Sequence, residues 1–91
     1  MEQHEDITQE LNGEGVIMID GREIGEVYYS LTIVPEPGPL IAEGSISGPE
    51  PLLSQVKEAE APKLALDDGY VVTLKCKGGS NGVRWVNALP A

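Results

Sequence analysis

The chain has no phenylalanine, a single cysteine, a single histidine, a single tryptophan and, after Asp68, no acidic residue. With Cys76 alone no internal disulfide can form. His4 is the sole imidazole, so a zinc site of the usual kind, which draws on several Cys or His ligands, has too few donors. A Cys–His nucleophilic pair would need His4 to reach Cys76, and residue alternation turns Cys76 inward, where a thiol is inert. A calcium loop needs carboxylates spread over about a dozen residues and ending on a terminal one. None follows Asp67-Asp68-Gly69, which reads instead as a turn. No Gly-x-Ser-x-Gly frame surrounds Ser30, Ser45, Ser47, Ser54 or Ser80. Gly13-Glu14-Gly15 and the glycine-rich stretch 78–82 do not lead from a strand into a helix, as a phosphate cradle does. The expectation is a protein that is not an enzyme and holds no cofactor and no metal.

Long apolar runs are missing too. The longest stretch of adjacent aliphatics, residues 16–19, falls far short of the ~20 needed to span a bilayer. The first ten residues carry Glu2, Glu5, Asp6 and Glu10, the opposite of a cationic signal-peptide start. No membrane association is expected, and the reduced cytoplasm is the expected compartment.

What is present is a folded-chain composition, 41% hydrophobic over 91 residues, which supports one domain. The aromatics are Tyr28, Tyr29, Tyr70 and Trp85, so the core must be built mainly from Val, Ile and Leu, of which the β-branched pair favour strands. Residues 1–12 are polar and acidic, with Ile7 and Leu11 the apolar exceptions beyond Met1. They read as a disordered arm, leaving 13–91 as the domain.

The order of the apolar segments defines the fold class. Residues 16–19 form a strand, and Asp20-Gly21 is a two-residue hairpin signal, because a type I′ turn needs positive φ at both central positions. The return strand, 23–34, alternates strictly. Val27, Tyr29, Leu31 and Ile33 share the inward face, Glu26, Tyr28, Ser30 and Thr32 the outward one. Gly25 suggests a bulge or bend. Residues 35–39 hold three prolines and must be a connection. In 40–47, Leu40, Ala42, Gly44 and Ile46 face in, and Gly44 suggests a close approach or a barrel corner. Pro51 suits the first turn of a helix, and Leu52, Leu53 and Val56 recur at helical spacing before Pro62 stops it; such a helix must plug one end of a barrel. Strands follow at 63–66, 70–77 and 83–89. Val72, Leu74 and Cys76 are read inward, with Val71, Thr73, Lys75 and Lys77 outward. In the last strand Trp85 is placed in the core, sharing a face with Val83 and Asn87, while Arg84, Val86 and Ala88 are placed outside. The whole is an all-β, small antiparallel barrel of five to six strands, OB-like or SH3-like, with one short helix between strands 3 and 4.

Charge is distributed unevenly. Residues 1–68 hold all fifteen acids and three bases, leaving them at −12, whereas 69–91 hold Lys75, Lys77 and Arg84 and carry +3. The candidate partner-binding residues are Glu26, Tyr28, Glu43 and Glu58 on the acidic side and Lys75, Lys77 and Arg84 on the basic hairpin. A net charge of −9 opposes binding to phosphate backbones, so the expected partner is another protein and nucleic acid is disfavoured. The leading expectation is a non-catalytic interaction module. An acidic inhibitor that mimics nucleic acid is the alternative, followed by an OB-like barrel binding nucleic acid through the basic hairpin. An unpaired edge strand would also offer a route to a homodimer.

Overall fold

The computed structural model describes residues 9–35 and 38–91. His4 and Ile7, most of the expected arm, and the middle of the proline-rich connection (36–37) lie outside the described residues. The elements are β1 Glu10–Ile19, β2 Arg22–Ile33, β3 Ala42–Ser47, α1 Glu50–Glu58, β4 Lys63–Ala65, β5 Val71–Gly78 and β6 Val83–Pro90. All pairings are antiparallel, and the sheet closes on itself in the order β1-β2-β3-β6-β5-β4. The likeness to an OB barrel is one of element order: that fold is five-stranded and partly open, and this one has six strands and is closed.

The hairpin at Asp20-Gly21 has φ of 55° and 78° at its two central residues, the mirror-image geometry that a two-residue connection between twisted strands requires. Beside Gly25 the register shifts: Ile17 lies opposite Gly25 but Met18 opposite Glu23, so Ile24 is the extra residue of a bulge. The bulge bends β2, and the missing side chain at Gly25 makes room for Leu52, since a Cβ there would lie 2.7 Å from the Leu52 Cδ2. Gly44 is required for a different reason. A Cβ at that position would sit 2.0 Å from the Ser30 carbonyl oxygen, so β2 and β3 approach more closely than any side chain allows.

The core is aliphatic apart from Tyr29, and includes Ile17, Leu31, Ile46, Leu64 and Val86. On β2, Val27, Tyr29 and Leu31 are buried, with Ile33 half-buried against the core. Leu52, Leu53 and Val56 of α1 face inward, and the helix lies against β5 and β6. A helix of this length would be marginal alone; burial of that face holds it.

Two expectations are corrected. Trp85 is not in the core: it is 55% exposed, while Arg84, Val86 and Ala88 point inward. The neighbouring strand decides this. Ile46, Gly44 and Ala42 of β3 face in and lie opposite Arg84, Val86 and Ala88, and cross-strand partners share a face. The second correction concerns the end of the arm. Glu10, Leu11 and Asn12 open β1, paired with Thr32, Leu31 and Ser30, and Leu11 packs on the core. A β2 of twelve residues needs a partner along its second half, and these residues supply it.

Two outcomes follow for stability. In chemical denaturation Leu31→Ala should cost ~2–5 kcal/mol through lost burial and a cavity, whereas Thr32→Ala and Trp85→Ala, on the outer face, should each stay under about 1 kcal/mol. Comparable losses at Leu31 and Trp85 would contradict the register of β6. Removing residues 1–12 should lower the Tm by several degrees, since it strips Leu11 and three ladder positions from β2.

Candidate functional site

The basic hairpin does not present three free cations. Arg84 lies on the inward face of β6 and is only 5% exposed. Its guanidinium grips Glu50 with both terminal nitrogens: Nη1 donates to Oε1 at 3.3 Å and Nη2 donates to Oε2. The Gly82 N–H donates to the same Glu50 Oε1 at 2.9 Å, and the Gly82 carbonyl accepts from the Gly48 N–H at 3.1 Å. The start of α1 is thereby fastened to the β5–β6 turn. The N-cap position, Pro49, offers no side-chain cap, so this carboxylate, in the first turn where the helix dipole favours negative charge, is the principal polar anchor at that end. The hydrogen bond from Arg84, then that from Gly82, holds the Glu50 carboxyl below its ordinary range, and Glu50 in turn raises the Arg84 guanidinium above its own.

Lys75 and Lys77 remain exposed on β5. Between Cys76 and Gly78 the register against β6 shifts, which makes Lys77 the extra residue of a bulge. From there Lys77 reaches across β6 to Glu43, Nζ to Oε1 at 3.7 Å. Between two exposed groups such a pair contributes ~0–1 kcal/mol.

The remaining candidates divide into two places. Glu26 and Tyr28 stand on the outer face of β2, and Glu43 on the outer face of the adjacent β3, so the structure brings these three onto one surface. Glu58 is at the far end of α1 and does not join them. The cross-strand rows of this surface run Glu14–Tyr28–Ser47–Val83, then Asn12–Ser30–Ser45–Trp85, then Glu10–Thr32–Glu43–Asn87–Lys75. The outer side of β1, β2 and β3 therefore carries five carboxylates, Glu10, Glu14, Glu23, Glu26 and Glu43. Two exposed aromatics, Tyr28 at 53% and Trp85 at 55%, flank a strip of serines. Trp85 was missed as a surface residue from sequence because its apolar bulk outweighed its position. The signal that places it outside is the small-residue series Ala42, Gly44, Val86 and Ala88, which needs the interior side of both strands.

Two other features are structural. Tyr29 is buried, and its hydroxyl donates to Asp67 Oδ1 at 2.9 Å and accepts from the Asp67 N–H at 3.3 Å; burial, before any neighbouring charge, raises its phenol above the ordinary value. Asp68 Oδ1 accepts from the Tyr70 N–H at 2.9 Å, the local turn that the Asp-Asp-Gly sequence implies. A shallow cleft of about 250 Å³ lies between the β1–β2 turn and the end of α1, lined by Ile19, Asp20, Ala59, Glu60 and Ala61. It is below the size of typical small-molecule sites, and its ionisable groups are the exposed carboxylates of Asp20 and Glu60. Among the described residues no group of three His, Cys, Asp or Glu side chains is placed to hold a metal ion.

What fold and surface define is a small closed antiparallel barrel with an acidic, aromatic outer face. The chain matches no protein-family model, no curated protein and no solved structure.

The Glu50 clamp makes a pH-dependent contribution. A carboxylate whose folded pKa is depressed stabilises the fold above its unfolded pKa, and that contribution is lost as pH falls through the folded value. Glu50→Gln should therefore lower the Tm at neutral pH, and the gap to the parent should close on acidification below the ordinary carboxylate range. Thermal melts across pH would read this. A gap that stays constant with pH would assign the loss to packing instead.

Proposed function

We propose that this chain is a small non-catalytic interaction module whose partner is another protein, acting in the cytoplasm, and that the outer side of β1, β2, β3 and the adjoining β6 is its contact surface. The observation that carries this reading is the coincidence of five carboxylates with exposed Tyr28 and Trp85 on the outer side of adjacent strands. Aromatics that are half in solvent gain most when a partner covers them, and the carboxylates give the surface a sign that a partner must complement. The withdrawal of Arg84 into the Glu50 clamp weakens the case for the basic hairpin as the contact.

A second reading has one observation in its favour. Trp85 and Tyr28 are on the face that Lys75 flanks, and exposed aromatics beside lysines are what a single-stranded nucleic acid uses. Two lysines, one of them engaged with Glu43, stand against five carboxylates, so this reading ranks behind the first. An acidic mimic of nucleic acid ranks behind it as well, because such a surface has no use for the two rings.

The test is partner capture from the native host by variants of the whole chain. Neutralising Glu14, Glu26 and Glu43 to Gln should weaken capture, most clearly at low salt, where exposed charges act over a longer range. Reversing Lys75 and Lys77 to Glu should leave it near the parental level. The opposite pattern would favour the nucleic-acid reading, and capture indifferent to both sets and to salt would remove charge from the contact altogether.

A further inference from the structure

Closure of the sheet leaves part of one strand unpaired. β4 pairs with β1 only at Val16, Ile17 and Met18, whereas β1 begins at Glu10. The parity of the ladder tells which backbone groups are left over. The Gln9 carbonyl accepts from the Ile33 N–H at 2.8 Å, and in an antiparallel pair both backbone groups of a residue point to the same side. Gln9, Leu11, Gly13 and Gly15 therefore address β2, while Val16 and Met18 address β4. The far side of β4 agrees: the Pro62 carbonyl accepts from the Leu74 N–H at 2.8 Å, which leaves Lys63 and Ala65 for β1. Glu10, Asn12 and Glu14 point the same way as Val16, but β4 has ended at Ala65. Among the described residues no backbone bond meets them there. Asp67, beside Gly13, marks the closed end of the gap.

A row of free N–H and C=O groups is a template for another strand. Proteins blunt such edges with prolines, bulges, inward charges or a covering element. Residues 10–14 contain no proline, their register against β2 is unbroken, and Leu11 on their inner face packs on the core. Their charges are outside: Glu10 and Glu14 are exposed on either side of Asn12. Residues directly opposite on adjoining strands share a face. An incoming strand would thus set every second side chain beside these acids and the others beside Leu11, which basic and apolar residues in alternation complement. A second copy would instead bring its own Glu10 and Glu14 against them. Like charges directly opposite are destabilising, and each copy carries −9. We propose that the open edge of β1, from Glu10 to Glu14, takes up an extended segment of the protein partner as an added strand, with basic side chains outward and apolar ones inward. This rests on the protein-binding reading above and names its mode of contact.

The probe is an acetylated, amidated peptide of alternating lysine and valine, titrated against the whole chain. Its binding should slow amide hydrogen exchange at Glu10, Asn12 and Glu14 and leave Leu11 and Gly13, already bonded to β2, unchanged. N-methylation of the lysines, whose N–H groups would face β1, should weaken affinity by about tenfold or more, the scale of losing a pair of backbone bonds. N-methylation of the valines, whose N–H groups would face solvent, should have little effect. Asn12→Pro removes a donor that β2 does not use, and proline is tolerated on an edge with that side in solvent. It should leave the Tm near the parent and abolish binding, as should Glu10→Lys with Glu14→Lys. If Asn12→Pro unfolds the chain, the two methylated peptides still decide. Equal loss from both methylation patterns would overturn the proposal, as would equal binding of a Glu–Val peptide or a concentration-dependent dimer that Asn12→Pro abolishes. Host-protein capture that survives Asn12→Pro but falls with Glu26→Gln and Glu43→Gln would overturn the edge and leave the outer face as the contact. Capture indifferent to all of these would remove both.

Discussion

The Tyr29 ring lies inside the barrel over a stretch of β1 that has no side chain at Gly13 or Gly15. A Cβ at Gly15 would come within 3.3 Å of the ring and within 2.7 Å of both Leu64 and the Ala65 carbonyl; one at Gly13 would meet Asp67 at 2.6 Å. Much of the structure depends on this fit. In a chain with no phenylalanine, Tyr29 is the largest fully buried side chain, and only a strand stripped of Cβ atoms leaves space for it. Its hydroxyl cannot be buried without a partner, and Asp67 supplies one through both carboxylate and backbone. The β4–β5 turn is thereby tied to β2, and β4, three residues long, is held in place to join β1 to β5 and close the sheet. Burying Tyr29 also commits every second residue of β2, which puts Tyr28 and Glu26 outside.

At the other end of the barrel the problem is electrostatic. The parity of β6 sends Arg84 inward, and a buried guanidinium without a counter-charge would be strongly destabilising. Glu50 meets it, and the same carboxylate takes the Gly82 N–H, so a single side chain neutralises the arginine, anchors the helix start and orders the β5–β6 turn. One consequence reaches the surface. With Arg84 withdrawn and Lys77 turned toward Glu43, the +3 of the C-terminal residues is not displayed as a basic patch. The outer face is left to the carboxylates, the serines and the two exposed rings.

Strict alternation in β2, the Asp20-Gly21 turn and the proline-bounded helix were all legible as sequence, and together they specify a small antiparallel barrel with a helix between strands 3 and 4. These features are local: period two, positive φ and the missing proline donor act within a few residues, so reading neighbours along the chain suffices. The candidate surface was half legible. Glu26, Tyr28 and Glu43 follow from the alternation of β2 and β3, while Lys75 and Lys77 follow from that of β5.

The sequence by itself determined the order of the elements and the inner faces of β2, β3 and most of β5, while the first half of β1, from Glu10, became a strand only through its pairing with β2. Only the tertiary structure decided where β6 pairs, and with that which of its two faces is buried. Either half of that strand offers apolar residues, Val83 and Trp85 or Val86 and Ala88, so no local pattern separates them. The choice came from β3 across the ladder, whose inward Ala42, Gly44 and Ile46 oblige their partners to face in. Pairing between strands some forty residues apart is invisible to periodicity, and it is this pairing that placed Trp85 outside, Arg84 on Glu50, and the two aromatics on one face.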